Sequence, residues 1–325
     1  MLQEISINKI KGFSIGHAQY QEAATGCTVI INKNGAVTGV DVRGGSPGTR
    51  ETDLLKSENL VQETHAVFLS GGSAFGLSVA DGIMQYLEER KIGFDVGVAR
   101  VPIVPGAILF DLTVGDASIR PDASLGYQAC LDAETTKEAT NGSIGAGTGA
   151  TVGKCLGTSF SMKGGLGTFA IQIGELQVGA VVAVNSFGDI FDPGENQIIA
   201  GAYDRENNQL LHTEEQLLSQ LDKQTNRFST NTSIGTIITN AKATKAEMNK
   251  LASIAHDGFA RTMRPSHTLI DGDTIFAMTS NEVSVDLNIV GMLAVQAIEQ
   301  AVINGIKHAQ TVDGQPSYTD IIKNK

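Results

Sequence analysis

Asn231-Thr232-Ser233 heads the stretch Thr232-Ser-Ile-Gly-Thr-Ile-Ile-Thr-Asn240. A hydroxyl residue there has two readings. It can simply open a buried strand, as such residues commonly do. It can also be a nucleophile made by self-cleavage: if the chain cuts its own Asn231–Thr232 bond, Thr232 gains a free α-amine beside its hydroxyl. An α-amine titrates near about pH 8, far below a lysine, so such a threonine carries its own base. The chemistry would be amide hydrolysis through an acyl-enzyme. The lead-in is unusual, because the polar run Asp222-Lys-Gln-Thr-Asn-Arg-Phe-Ser-Thr-Asn231 meets the apolar, β-branched run with no Gly or Pro turn between them.

Other residues able to do chemistry lie at three places. Lys154 ends the Gly-rich run Gly145-Ala-Gly-Thr-Gly-Ala-Thr-Val-Gly-Lys154-Cys155. A phosphate loop would need Gly where Thr148 stands and Ser or Thr where Cys155 stands, so that motif fails. What remains is an amine in a weakly charged segment: a surface lysine, or a desolvated one that can act as a base. Asp271-Gly-Asp273 sets two carboxylates just before an apolar run, either as a turn or as a pair that fixes an ammonium or hydroxyl. Asn185 closes Val178–Val184, as a strand-end turn or an oxyanion donor. In Leu69-Ser-Gly-Gly-Ser-Ala-Phe-Gly76, Gly71-Gly-Ser73-Ala-Phe75 lacks the last Gly of a nucleophile elbow, so Ser73 reads as a helix N-cap. The six histidines (17, 65, 212, 256, 267 and 308) show no metal spacing and no local carboxylate pairing. A hydrolase built from this chain must find its base elsewhere.

These residues need a large scaffold. The chain has 325 residues, 37 of them Gly, with 41% hydrophobic and 18% charged content and a net charge of −11. That composition suits a tightly layered enzyme. Without a basic cluster a nucleic-acid surface is not expected. No signal peptide and no uncharged apolar run of about 18 residues is evident, so no membrane span is expected. Cys27, Cys130 and Cys155 are scattered and odd in number, which fits a reducing cytoplasm rather than disulfides or zinc. No cofactor or metal is called for.

Residues 1–45 read as a strand meander with a turn at Lys33-Asn-Gly35, followed by a Gly/Pro loop from Arg43 to Asp53. Strands are expected at His65–Leu69, Ala107–Leu112, Thr168–Ile173, Val178–Asn185, after Thr232, and at Thr274–Thr279. Helices are expected over Ser73–Glu89, residues 122–139, Thr244–Arg261 and Val285–Lys307. The stretch 201–231 is the best linker candidate, with a short helix at Glu214–Leu221. Strands and helices do not alternate as βαβ units. The expected fold is therefore α+β, with two mainly antiparallel sheets and helices outside.

Taken in order, six blocks make the chain resemble a known family. They are Asp41–Thr52, Leu69–Leu77, Val101–Leu112, Gly145–Gly149, Asn231–Asn240 and His267–Phe276. The family holds the L-aminopeptidase/D-esterases, the β-peptidyl aminopeptidases and the nylon-oligomer (6-aminohexanoate oligomer) hydrolases, all self-cleaving N-terminal-nucleophile enzymes. The resemblance implies a single four-layer αββα sandwich over residues 1–325, cut into a 1–231 α chain and a 232–325 β chain. Thr232 would be the nucleophile and Asn231 the other side of the cut. Lys154, Asp271 and Asp273 match supporting residues of the nylon-oligomer branch, and Asn185 an oxyanion-stabilising Asn. Phe110 and Asn141 are its substrate-binding candidates. The aminopeptidase branch has Ser-Gly-Glu where this chain has Asp271-Gly-Asp273, and an acidic residue where this chain has Asn141; strict aminopeptidase specificity is thus not implied. The implied substrate is a small peptide or amide oligomer, and the implied assembly a homo-tetramer or larger. The alternatives are an amine acyltransferase of ornithine-acetyltransferase type and a non-catalytic scaffold that retains the fold.

Overall fold

The computed structural model describes residues 1–136, 140–221 and 231–323. The polar lead-in at 222–230 and the end of the expected second helix (137–139) lie outside the described residues.

Ten strands join in one sheet: β1 Leu2–Glu4, β2 Ser14–Tyr20, β3 Thr25–Val42, β4 Thr49–Arg50, β5 Glu63–Ser70, β6 Gly106–Ile108, β7 Gly165–Ile173, β8 Leu176–Val184, β9 Ile234–Ala241 and β10 Thr274–Val283. Their order is β1-β7-β8-β9-β10-β3-β5-β6-β4, with β2 also on β3. Pairs are antiparallel except β9–β10, β5–β6 and none other along this path. Four long helices flank it: α1 Val79–Glu89, α2 Ala123–Thr135, α3 Lys245–Thr262 and α4 Leu287–Lys307.

Side-chain parity shows how one sheet makes two layers. On β8, Val178, Ala180, Val182 and Val184 face a core shared with α3 and α4, and Val181 and Ala183 face the opposite way. On β10, Ile275 and Ala277 join the first core, Phe276 and Met278 the second. The second core also takes Val67 and Leu69 of β5, whose alternate residues Ala66 and Phe68 pack on α1 and α2. The sequence of layers is α3/α4, sheet, sheet, α1/α2, with an apolar core in each of the three gaps. This is the expected αββα sandwich.

The two layers are not separate sheets, however. They are joined by β3, which spans 18 residues. Its residues 25–31 pair with β2 and β5 and its residues 37–42 with β10. The expected turn at Lys33-Asn-Gly35 is instead a register shift between Ile31 and Ala36, with Gly35 at φ +89°. A glycine in the left-handed region lets the strand bend across the sandwich without ending.

The helices begin where their caps dictate. Asp122 accepts from Leu125 N–H at the start of α2, and Thr244 and Glu247 form a capping box at the start of α3. Ser73 does not cap. The N-cap position is Gly72, and Ser73, at φ +54°, is the first residue of a 3-10 turn (Ser73–Ser78) that precedes α1. The reason is local: Gly72 N–H is taken by Asp111, which pulls the loop inward. By length and composition α4 could cross a bilayer, but 67% of its most apolar window is buried inside the protein. The linker candidate is partly docked: Ala202, Tyr203 and Thr213 are buried, and Thr213 bonds Asp189.

The Gly/Pro loop after β3 wraps the Asp271-Gly-Asp273 segment. Arg43 and Gly44 N–H donate to Asp273 O, and Ser46 N–H donates to Asp271 O at 2.8 Å. A Cβ on Gly44 would lie 2.4 Å from both Asp271 O and Asp273 N. Gly44→Ala is therefore expected to destabilise the protein by about 1–3 kcal/mol, read as a lower urea midpoint at constant m-value.

Candidate active site

Four strand ends meet at one edge of the β8-β9-β10-β3 layer. Asn185 follows β8 directly. Thr232 precedes β9 by one intervening residue, Asp273 directly precedes β10, and Arg43 follows β3. The register makes this unavoidable, since Ala183 pairs with Ile234, Ile234 with Thr274, and Thr274 with Val42.

Asn185 is the hub. Its backbone O accepts Thr232 N–H at 3.0 Å and Lys154 Nζ at 3.3 Å. Its Oδ1 accepts Lys154 Nζ at 2.8 Å and Thr151 N–H at 2.9 Å. Its own N–H donates to Ser233 Oγ, and Nδ2 donates to Phe110 O at 3.1 Å. An amide NH2 has a second hydrogen beyond that bond.

Thr232 is buried, and its hydroxyl donates to the carbonyl oxygen of Asn231. The same oxygen accepts Gly272 N–H at 3.0 Å. Asn231 and Asp271 form a parallel bridge, so the Asn231–Thr232 bond is laid along the Asp271-Gly272-Asp273 backbone. A Cβ on Gly272 would stand 2.6 Å from Thr232 Oγ1 and 2.8 Å from Ser46 O. Only glycine fits between the two carboxylates. Gly272→Ala is expected to displace the Thr232 hydroxyl and slow any reaction at it by about a hundredfold, read as a reaction rate with the urea midpoint followed alongside to account for general destabilisation.

Asp273 Oδ1 accepts Ser233 N–H at 2.9 Å. Asp271 Oδ2 accepts the hydroxyl and N–H of Thr268, while buried Oδ1 has no partner among the described residues. Burial, then the neighbouring Asp273, push the Asp271 carboxyl up to about 6, against the pull of Lys154.

Lys154 is buried rather than solvated. Desolvation pushes its amine down to about 7, opposed by Asp271 and Asp111. Its two hydrogen-bond acceptors are both on Asn185. A neutral amine has two N–H groups and one lone pair, so both hydrogens are satisfied and the lone pair is free. Lys163 makes the contrast. Burial also pushes it down to about 7, yet Nζ has three carbonyl acceptors, Gly147, Ala150 and Gly164, at 2.9–3.0 Å. Three acceptors match the three N–H groups of an ammonium and would leave a lone pair without a donor. Lys163 thus pins the Gly-rich loop, and Lys154 is the amine poised to accept a proton.

The structure brings together Thr232, Asn231, Lys154, Asn185, Asp271 and Asp273. Phe110 joins them through its backbone, since its carbonyl fixes the Asn185 amide. Asn141 does not join: its Oδ1 accepts the N–H and hydroxyl of Thr168, on the outer strand β7. Three residues went unread in the sequence. Lys163 carries the same signal as Lys154, an amine in a Gly-rich, weakly charged stretch. Asp111 is a carboxylate in the apolar run Ala107–Leu112; it is buried, holds Thr25 Oγ1 and Gly72 N–H, and burial raises its pKa. The third corrects the histidine reading: His267 does pair with a carboxylate, its Nδ1 lying 2.9 Å from Asp273 Oδ2. The spacing of six residues hid it, because the intervening loop folds back on itself. Among the described residues, no group of three or more His, Cys, Asp or Glu could hold a metal ion.

Comparison with known proteins gives the arrangement a context. An uncharacterized aminopeptidase of Mycobacterium tuberculosis is 38% identical over 345 residues, covering 97% of each chain. A 6-aminohexanoate-oligomer endohydrolase of a Kocuria species is 31% identical, covering 91% of this chain and 84% of that one. Among solved structures, a Burkholderia β-aminopeptidase aligns with a TM-score of 0.68 at 18% identity, covering 98% of this chain and 93% of that one. The L-aminopeptidase D-Ala-esterase/amidase of Ochrobactrum anthropi, described as a variant of the Ntn hydrolase fold, aligns at 0.69 and 17% identity, covering 96% and 88%. These two likenesses show the fold. The model of peptidase family S58 matches residues 6–319, and with the sequence relatives it shows that the chain belongs to peptidase family S58 and is a hydrolase of amide bonds.

Proposed function

We propose that the chain is an autoprocessing N-terminal threonine hydrolase that cuts its own Asn231–Thr232 bond and then hydrolyses amide bonds of small peptides or peptide-like oligomers. The observation that carries this reading is the Thr232 hydroxyl lying on the Asn231 carbonyl, whose oxygen also accepts Gly272 N–H.

In the self-cleavage step, Thr232 Oγ attacks the Asn231 carbonyl carbon and Lys154 takes the hydroxyl proton. Gly272 N–H holds the negative oxygen. The C–N bond breaks, Lys154 returns the proton to the leaving nitrogen, and an Asn231 ester on Thr232 Oγ results. Water opens that ester, leaving an Asn231 carboxylate and a free Thr232 amine. The products would be residues 1–231 and 232–325.

Turnover repeats the chemistry on a substrate amide. The Thr232 amine or Lys154 accepts the hydroxyl proton, and the hydroxyl adds to the substrate carbonyl. The second amide hydrogen of Asn185 is the candidate donor to the oxyanion. The substrate amine leaves with the returned proton, and water releases the acyl group. The unpartnered Asp271 Oδ1 supplies an acceptor for the new Thr232 ammonium. Assembly into tetramers or larger and a cytoplasmic location belong to the same reading and rest on the resemblance and the cysteine usage. Light scattering on the purified protein reads the first.

Intact mass of the purified protein tests the cut: two species split after Asn231 are expected. A chain that stays whole while hydrolysing amides overturns the scheme. Aminoacyl-p-nitroanilides, D- and β-peptides and 6-aminohexanoate oligomers, each with and without an amine acceptor, then define the substrate class and separate hydrolysis from acyl transfer.

A further inference from the structure

His267 has no part in the steps above, yet it is among the most constrained residues of the site. It is a non-glycine residue at φ +55°, a conformation that persists only where surroundings enforce it. Here they do so by aiming two donors at one oxygen. His267 N–H lies 3.0 Å and its Nδ1 2.9 Å from Asp273 Oδ2. The other oxygen, Oδ1, holds the N–H of Ser233, the residue next to the nucleophile. Asp273 is thus a strut between the His267 loop and the head of β9.

The partners show which ring nitrogens donate. A carboxylate at Nδ1 makes that nitrogen a donor, and His267 Nε2 is buried with no partner among the described residues. His256 on α3 packs edge-on against the His267 ring, centroids 4.8 Å apart. Its Nε2 lies 3.0 Å from the Asp41 carbonyl and so carries the hydrogen, leaving Nδ1 bare and also unpartnered. Burial, aided by His267 and Arg43, holds His256 down at about 4 against the Asp41 carbonyl and carboxylate, keeping it neutral. Phe259 closes the cluster. The ring of His267 thus packs on His256 and Phe259, and its Nδ1 bonds Asp273.

We propose that His267 is a positioning residue of the self-cleaving reaction: its two N–H groups clamp Asp273 so that the carboxylate holds Ser233, and with it the Thr232 hydroxyl, on the Asn231 carbonyl. The inference rests on the Thr232 reading above. His256 is the wall that stops the ring from swinging away.

Two amides and one apolar ring test it. In His267→Asn the amide nitrogen falls near the Nδ1 place, and Asn tolerates the left-handed backbone. His267→Gln carries the same group one methylene too far, and His267→Phe fills the space without a donor. The rate at which the 1–231 and 232–325 fragments form is followed by intact mass, and kcat and KM are measured on the fragments once formed. The Gln and Phe variants are expected to cleave about ten- to a hundredfold more slowly, with kcat reduced and KM unchanged. The Asn variant should recover to within about threefold of the parent. A Phe variant cleaving at the parental rate, or Asn and Gln variants equally slow, overturns the role of His267. A parent chain that never splits overturns the Thr232 reading instead.

Discussion

Thr232→Ala is expected to remain a single chain of 34.2 kDa and to be inactive. No other residue at the site can replace the lost oxygen. Ser233 is the neighbour, but its Oγ accepts Asn185 N–H and belongs to the opposite side of the backbone. The loss of turnover should be on the order of a millionfold, as when the nucleophile of a hydrolase is removed. Thr232→Ser keeps the hydroxyl and should still split, more slowly, because without the γ-methyl its rotamer is less restricted. Intact mass and hydrolysis rate are read on the same preparation. A Thr232→Ala protein that still divides after residue 231 would refute the assignment.

Lys154→Met should slow self-cleavage strongly while sparing part of the later turnover. Before the cut, the nitrogen of Thr232 is an amide and cannot serve as a base, and Lys154, held on the Asn185 whose carbonyl also takes Thr232 N–H, is the amine assigned that task. Losing a general base costs about a hundred- to ten-thousandfold. After the cut, the new α-amine can share the task. The sign of the pH dependence follows. The base must be neutral, and burial sets Lys154 at about 7. Self-cleavage should therefore rise with pH through about 7 and level off above it, since below that the ammonium has no lone pair to offer. In Lys154→Met, rescued to measurable rates by long incubation, this inflection should vanish. A parental profile flat from pH 5 to 9 would remove Lys154 from the base role.

Much of the fold was legible because burial alternates along the strands. The apolar, β-branched run after Thr232 reads as a buried strand, and Val178–Val184 as another. The bend of β3 was not legible, because Lys33-Asn-Gly35 is the same tripeptide a hairpin would use; only the partners of residues 37–42 decide that the strand continues. At the site, residue types left Lys154, Asn185 and the two aspartates open between a structural and a chemical role, and only the family resemblance marked them as site candidates. Lys163 stands in the same Gly-rich context as Lys154, and only the number of carbonyls around each amine separates a pinned ammonium from a free base. The His267–Asp273 bond escaped because a six-residue separation fits no regular period. It depends on a left-handed turn at the histidine that no local signal announces.

The central position of β9 and β10 has a consequence for assembly. Everything after residue 231 supplies two neighbouring strands from the middle of the sheet, with β8 on one side and β3 on the other, and the two helices that cover them. A cut there severs the covalent thread without freeing a detachable piece, since neither part can close its sheet alone. The two products should behave as interlocked halves that melt in one transition. A 1–231 polypeptide and a 232–325 polypeptide made separately should regain activity only by co-folding, as in split-protein complementation. The cut would also tether the newborn amine at both flanks of its strand, so the nucleophile is released chemically but not spatially.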